Sequence, residues 1–408
     1  MARPLDGIRV LDLTNVLAGP YCTYHLALLG AEVVKVEQPR RGDLARALGA
    51  DADLNGRGLG ASFLAQNAGK KSVELDLKDP DDREVFFDLA TEADVVVENF
   101  RPGVMARLGL GADRLRELNP SLDYCAVSGF GQDGPLSQRP AYDQIIQGLS
   151  GIMSITGTPE TAPLRVGFPI ADSVGGLMAA LAVCGALVAR DADGNRVGAT
   201  LDVSMLEASL STMGWAVSNY LGAGVEPGPI GNQNFTAAPS GTFEAADGPL
   251  NIAANRQQQF VSLCEAIGRP ELTRDPRFSQ REARKAHREE LNVEVNAGLA
   301  TRTALEWEEI LNGCGVPAAR ILTVSAALSL PQLAQRAFLH EVEFPGDPDR
   351  SLRVMSNGVL FDGESLGPRS RPPLLGEHNG ALEWTGADAV NRPWGPSRLA
   401  RSSTEAAK

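Results

Sequence analysis

The amino-acid sequence predicts an α/β fold: a parallel sheet covered by helices, with a smaller α+β region after it. Three observations carry that expectation. Strand-like apolar runs alternate with helical stretches through the first half of the chain, the pattern of repeated strand–helix–strand units. A stretch rich in Gly, Pro and Asn, 222–240, then interrupts the pattern as a linker would. Strand character returns after residue 350, behind a charge-dense region. With 408 residues the chain has room for two or three domains at roughly 150 residues each.

Residues 8–13 form the first expected strand and 14–19 a loop. Pro20 suits the first turn of the next helix, where its missing N–H loses no hydrogen bond. Residues 31–37, rich in valine, are the second strand. A strand at 72–77, a helix opening at Pro80 and a strand at 94–100 make a second β-rich unit. A helical stretch from about Leu108 leads into a strand at 122–128. Beyond Asp172 come one long apolar helix, a strand at 199–203 and another helix to about Tyr220. Residues 241–317 read as the α+β unit, with charges over 281–290 spaced as on a solvated helix. Residues 353–361 are strand-like, and the polar tail after Trp394 is expected to fray.

Bulk chemistry excludes several classes of function. A net charge of -13 argues against a general nucleic-acid binder, which needs a basic face. The five cysteines are scattered, with no CxxC and no Cys/His spacing for zinc, so no metal and a reduced, cytoplasmic setting are expected. No signal-peptide pattern precedes the first strand. The apolar run 177–189 is shorter than the ~18–20 residues of a membrane span, which points to a buried helix and no membrane partner.

Residues 163–176 hold the most informative acid. Asp172 stands between an apolar approach and the Gly175-Gly176 step. A carboxylate opening a buried helix meets unpaired N–H groups and the positive end of the helix dipole. It is therefore expected to stay ionised in apolar surroundings, which suits a nucleophile. Position alone favours a plain N-cap.

A series of short motifs decides between those readings. Residues 4–14 (PLDGIRVLDLT) and 17–20 (LAGP) come first, followed by 29–37 (LGAEVVKVE). Asn67 to Ser72 with Lys70-Lys71, then 97–103 (VENFRPG) and 128–132 (SGFGQ), precede Asp172, and 373–378 (PLLGEH) closes the set. Together, in this order, they resemble the family III CoA-transferases, the group of formyl-CoA transferase, the carnitine CoA-transferases and the α-methylacyl-CoA racemases. The resemblance runs from about residue 4 to about 384. It implies a Rossmann-like large domain completed by a returning C-terminal segment, a small domain on two linkers, and an interlocked homodimer. On this chain that gives 1–221 as the first part of the large domain, 222–240 as linker, 241–325 as small domain and 326–408 as return segment.

The resemblance further implies CoA or acyl-CoA as substrate, with no tightly bound cofactor. Matching positions for CoA are Val16, Leu17, Ala18, Leu75, Lys78, Asn99, Phe100 and Arg107. Arg40, Arg41, Arg46, Lys70, Lys71 and Arg101 lie near them in sequence, a basic island of the kind that a diphosphate and a 3′-phosphate require. A family arginine near the adenine end falls on Gln38, which leaves Arg40 or Arg41 to take its place. A nicotinamide dehydrogenase, the rival for a strand–loop–helix opening, needs a GxGxxG that 14–20 lacks, although Glu37 stands where a ribose-binding acid would.

By the same resemblance Asp172 is the nucleophile. It forms a mixed anhydride and then an aspartyl–CoA thioester, with Gly175 and Gly176 letting backbone donors reach the tetrahedral intermediates. The related racemases carry a histidine where Tyr142 stands, and a phenol, with an ordinary pKa near 10, is a poor base at neutral pH. His25 sits in the first helix and His287, His340 and His378 are distant in sequence, so a transferase is favoured over a racemase. An inert acyl-CoA-binding protein would have lost Asp172. Asp143 matches an acid that helps hold the reacting groups in formyl-CoA transferase. Residues 231–239 lack that enzyme's glycine run, which argues against an oxalate/formyl enzyme and leaves Asn234 and Phe235 to face the acyl group. Residues 142–157 resemble the branch that moves CoA from succinate to dicarboxylates. Arg165 and Arg256 are the candidates for a second carboxylate.

Overall fold

The computed structural model of the protein describes residues 2–189 and 195–380, which form two compact units. The first unit holds the chain up to Ile152, Arg165–Val225 and the chain from Pro331; the second holds Met153–Leu164 and Glu226–Leu330.

A six-stranded sheet, parallel throughout, organises the first unit. Its strands are β1 (Arg9–Leu13), β2 (Glu32–Glu37), β3 (Lys70–Glu74), β4 (Val95–Glu98), β5 (Asp123–Ser128) and β6 (Thr200–Ser204). Helices α1 (Ala18–Leu28), α2 (Pro80–Glu92), α3 (Ala112–Leu118), α4 (Asp143–Leu149), α5 (Ile170–Val188), α6 (Met205–Thr212) and α7 (Gly214–Ala223) connect and follow them. Alternate residues feed two cores. Leu11, Val34 and Val96 meet Phe86, Leu89 and Leu115 on one face, and Val10, Val33 and Val95 meet Leu26, Ala179 and Val183 on the other. Burial on both faces explains the near-continuous valine runs, since a parallel sheet is covered on each side. Pro80 opens α2 behind Asp79, whose side chain accepts the Asp81 N–H.

The strand order is β3-β2-β1-β4-β5-β6. The loops that leave β1 and β4 therefore part in opposite directions and open a crevice at the carboxyl ends of these strands. Such a switch point is where open α/β sheets bind ligands. α5 starts at Ile170, seven residues before the expected apolar run, and is long and apolar enough to cross a membrane by composition. Its Ala171, Ala179 and Val183 are instead fully buried in the core beside the sheet.

The second unit has a three-stranded antiparallel sheet of β7 (Ser240–Ala245), β8 (Gly248–Ala253) and β9 (Ala318–Arg320). Phe243, Leu250 and Ile252 from the sheet pack with Phe260, Leu291, Val295 and Trp307 from helices α8 (Gln257–Ala266), α9 (Arg288–Leu299) and α10 (Ala304–Gly313). A capping box between Thr303 and Glu306 starts α10. Part of the stretch read as a linker is pinned in this unit: Arg288 donates to Asn234 O at 2.7 Å and Ala237 O at 3.0 Å. Residues 153–164, read with the large domain, also cluster here, and the Gly231 N–H donates to Gly157 O at 2.6 Å. The charge-dense 281–290 stretch is not uniformly solvated, because Arg284 is buried and donates to Ala238 O at 2.8 Å.

The return segment re-enters the first unit with the antiparallel hairpin β10 (Leu339–Phe344) and β11 (Asp347–Met355). Strand structure thus begins earlier than expected, and past Met355 the described residues hold a short ladder of Leu360–Phe361 against Glu364–Ser365. The stretch 376–379 then lies along β3, the sheet edge. His378 N donates to Ser72 O at 2.9 Å, Gly376 N to Ser72 Oγ at 3.0 Å, and Glu74 N to Asn379 Oδ1 at 2.9 Å. The closing motif thereby covers edge groups that would otherwise stay open to another chain. The polar tail after Trp394 lies outside the described residues.

Candidate active site

The loop after β1 is held at almost every backbone group. Asn15 N donates to Asn99 Oδ1 and Asn99 Nδ2 to Asn15 O, both at 2.8 Å. Thr14 O accepts from the buried Lys35 ammonium at 2.7 Å, and Val16 N donates to Asp43 Oδ1 at 2.9 Å. Asp43 also pairs with Lys35 at 3.0 Å, both side chains being fully buried. This network fixes Val16 at φ 67°, a left-handed conformation that a β-branched residue rarely adopts. Strain of this kind persists only where the surroundings over-determine it. The consequence falls on α1: Leu17 and Ala18 open the helix with no side-chain cap and no acid in its first turn. The Leu17 and Ala18 N–H groups find no acceptor among the described residues, as expected of a helix start.

Those two residues line a cavity of about 220 Å³ together with Val16, Asn99, Phe100, Arg101, Tyr142 and Asp172. The motifs after β1 and β4 and the acid of α5, far apart in sequence, thus meet in one crevice. A second cavity of about 260 Å³ shares Asn15 and Phe100 with the first and is lined by Gln38, Leu75 and Lys78.

Asp172 is the third residue of α5, and Pro169 holds the N-cap position. It is therefore no N-cap. The Ala171 and Asp172 N–H groups go to Asp143 Oδ1, at 2.9 and 3.4 Å, and the Ile170 N–H goes to Phe168 O at 2.8 Å. Asp143, reaching across from α4, takes the place of the cap. The Asp172 carboxylate accepts no hydrogen bond among the described residues. Burial and the facing Asp143 carboxylate push it up to about 7, so the expectation of a permanently ionised acid is corrected. Asp143 is buried, receives Gln147 Nε2 at 2.7 Å and lies 3.7 Å from Arg165. Tyr142 is exposed at the cavity rim.

Gly175 and Gly176 do a different job from the one expected. Past the first turn of α5, their N–H groups belong to the helix ladder. A Cβ on Gly175 would stand 2.8 Å from Met205 Cγ, and one on Gly176 would stand 2.4 Å from Ala18 O. They let α5 approach α6 and α1 closely, which brings Asp172 to Ala18.

The basic island is smaller than its sequence. Arg46 is buried on Glu37, with bonds of 2.7 and 2.6 Å, and its guanidinium stacks 3.7 Å from the Phe63 ring centre. Lys70 is buried among Asp12, Thr23 and Asn67, and Lys71 pairs with Glu32. These three hold the fold. Arg40, Arg41, Lys78, Arg101 and Arg107 stay exposed and take part in no ion pair among the described residues. Asn99, expected at CoA, has both amide atoms engaged by Asn15 and so fixes the loop. His25 is buried on α1, where burial lowers it to about 4. It does not line the Asp172 cavity.

Asn234, Phe235 and Arg256 belong to the second unit. Asn234 Oδ1 accepts from Thr236 N and Oγ1, both at 2.8 Å, Phe235 is exposed, and Arg256 precedes α8. Sequence reasoning missed Arg139 and Ser137, which line the Asp172 cavity, and Gln147 and Asp43, which hold its parts. The matches at Tyr142 and Asp143 stand near Ser137, Arg139 and Gln147 in sequence, but no sequence spacing marks a buried amide or a loop-holding acid. Among the described residues no group of three or more His, Cys, Asp or Glu is placed to hold a metal ion.

A doubly wound sheet whose switch-point crevice is lined by a carboxyl and helix N–H groups, unpartnered among the described residues, has the arrangement of an α/β ligand-binding site suited to an anionic group. Residues 5–379 match CoA-transferase family III. The chain is 41% identical over 388 residues to the acetyl-CoA:oxalate CoA-transferase of Acetobacter aceti, covering 93% of this chain and 95% of that one. It is 38% identical over 385 residues to the succinyl-CoA–D-citramalate CoA-transferase of Chloroflexus aurantiacus, covering 94% and 90%. A crystal structure of a CAIB/BAIF family protein from Brucella suis superposes with a TM-score of 0.81 at 34% identity, covering 93% of this chain and 98% of that one. The protein belongs to CoA-transferase family III and is a CoA-transferase, moving CoA between an acyl-CoA and a carboxylic acid.

Proposed function

We propose that the enzyme transfers CoA from a donor such as succinyl-CoA to a dicarboxylate, with Asp172 as the covalent nucleophile. One observation carries the reading: Asp172 is a carboxyl without a hydrogen-bond donor among the described residues, in a cavity shared with the likewise open N–H groups of Leu17 and Ala18. In the first stage the ionised Asp172 oxygen attacks the thioester carbonyl. The C–S bond breaks, giving a mixed anhydride and CoA thiolate. The thiolate then attacks the aspartyl carbonyl and expels the donor carboxylate, leaving an aspartyl–CoA thioester. The acceptor carboxylate runs these steps in reverse, so one thioester forms for each one lost and no ATP is consumed. Each tetrahedral oxyanion needs donors. Those of α5 are engaged by Asp143 and Phe168, which leaves Leu17 and Ala18 for this role.

The exposed cations Arg40, Arg41, Lys78, Arg101 and Arg107 suit the CoA phosphates, and Gln38, Leu75 and Phe100 the body of the nucleotide. Dicarboxylate use is supported by relatives named for oxalate, citramalate, mesaconate and glutarate. Arg165, Arg139 and Arg256 are the cations proposed for the second carboxylate, with Asn234 and Phe235 beside the acyl group. The reading includes an interlocked homodimer, supported by exposed apolar side chains Leu177, Leu181, Trp215 and Leu221 on the first unit, and a cytoplasmic setting. Intact-protein mass spectrometry after incubation with succinyl-CoA tests it. Wild type should gain the mass of CoA less water and Asp172→Ala should not. α-Proton exchange from a 2-methylacyl-CoA without any adduct would turn the assignment to a racemase.

A further inference from the structure

Gln147 is fully buried and stands one helical turn after Asp143 on α4. Its amide bridges two elements. Nε2 donates to Asp143 Oδ2 at 2.7 Å, and Oε1 accepts the Val166 N–H at 2.9 Å. The same Nε2 lies 3.5 Å from Phe168 O. Gln147 thus ties α4 to the segment that leads into α5. Asp143 is held at both oxygens: Gln147 takes Oδ2, while Oδ1 receives the Ala171 and Asp172 N–H groups. An amide is the side chain that fits here, because one site needs a donor and the other an acceptor.

We propose that Gln147 is a positioning residue for the transfer reaction: it orients Asp143, and Asp143 in turn fixes the first turn of α5 and sets the surroundings of the Asp172 carboxyl. The inference rests on Asp172 being the nucleophile. Without the amide donor, Asp143 Oδ2 keeps among the described residues only the half-exposed Arg165, 3.7 Å away, and the carboxylate is free to turn from the helix start toward that cation. Asp172 then loses the fixed orientation that its attack on a thioester requires, since an error of an ångström at a reacting group lowers rate far more than affinity.

The test compares wild type with Gln147→Met, Gln147→Glu, Asp143→Asn and the Gln147→Met/Asp143→Asn double variant. The rate of CoA-adduct formation from succinyl-CoA is followed by rapid-quench mass spectrometry at pH 8, alongside the KM for succinyl-CoA. Gln147→Glu keeps the size and the acceptor for Val166 N–H, and puts an oxygen where the donor stood. Both Gln147 variants should form adduct at least about 10-fold more slowly with KM nearly unchanged. The double variant should be no slower than Asp143→Asn alone, because Gln147 acts through Asp143. Wild-type rates in Gln147→Glu, losses that multiply in the double variant, or a raised KM at unchanged rate would each overturn the proposal. Circular dichroism checks folding; should Gln147→Met unfold, the rate of Gln147→Glu decides alone. Failure of the underlying reading is distinct, since wild type itself would then form no adduct.

Discussion

Replacing Asp43 tests whether the strained loop is held by buried charge. Asp43 Oδ1 accepts the Val16 and Ala45 N–H groups at 2.9 and 2.8 Å, and Oδ2 faces Lys35 at 3.0 Å. In Asp43→Ala the buried Lys35 ammonium loses its 3.0 Å partner and keeps the more distant Asp12, 3.8 Å away, with Glu37 also acting on it. Breaking a buried pair by removing one member destabilises by about 3–5 kcal/mol. Leaving a buried N–H unsatisfied adds about 1–3 kcal/mol, and release of the Val16 strain offsets about 1–3 kcal/mol. The expected loss is therefore centred on about 4 kcal/mol, within a span of about 1–7 kcal/mol, a large part of the ~5–15 kcal/mol typical of a folded protein. Urea unfolding measures it, and calorimetric titration with CoA measures the functional consequence. Affinity should fall at least about 10-fold, because the loop carries Leu17 and Ala18. The double variant Lys35→Met/Asp43→Asn removes both charges and keeps an acceptor for Val16 N–H, so it should recover much of the stability and affinity. If Asp43→Ala unfolds within about 1 kcal/mol of wild type and binds CoA within about two-fold, the loop is not held in this way.

Further consequences concern the nucleophile, the helix contact and substrate choice. Asp172 titrates near 7 in the folded chain against 3.8 as a free side chain. Between those values the folded chain keeps a proton that the unfolded chain has released, so stability falls as pH rises through that window. Asp172→Asn should therefore raise stability by roughly 2–4 kcal/mol at pH 8 and hardly at all at pH 3, read from denaturant midpoints; equal effects at both would refute the titration. The rate of adduct formation in wild type should fall below about pH 7 as Asp172 protonates, and an acid limb near pH 4 would contradict the raised value. Gly176→Ala forces a methyl to 2.4 Å from Ala18 O and should destabilise by about 1–3 kcal/mol in thermal melts, with weaker CoA binding; an unchanged melt would show that α1 and α5 separate freely. Arg165→Ala, Arg139→Ala or Arg256→Ala should raise KM for a dicarboxylate acceptor at least about 10-fold more than for a monocarboxylate. Equal changes for both acids would remove that arginine from acceptor recognition.

The sequence by itself determined the α/β class, since valine-rich runs alternating with helical stretches are a local pattern that a sheet buried on both faces imposes. Its motifs also singled out Asp172 and the stretches at 16–18 and 99–101, which the first cavity brings together. Which cations remain available was decided only by the tertiary structure: Arg46, Lys70 and Lys71 look like neighbours of Arg40 and Arg101 in sequence, yet their partners Glu37, Asp12 and Glu32 come from other strands. The same is true of Asp172: its burial, and the facing carboxylate of Asp143 from a different helix, push its carboxyl up to about 7. It is true again of Gly175 and Gly176, which are read locally as flexible backbone but which pack α5 against its neighbours. Hydrophobic period and turn chemistry act between residues a few positions apart and leave their mark in the sequence. A charge, a donor or a close contact takes its meaning from what stands opposite, and here what stands opposite is brought there by the folded sheet and the helices packed on it.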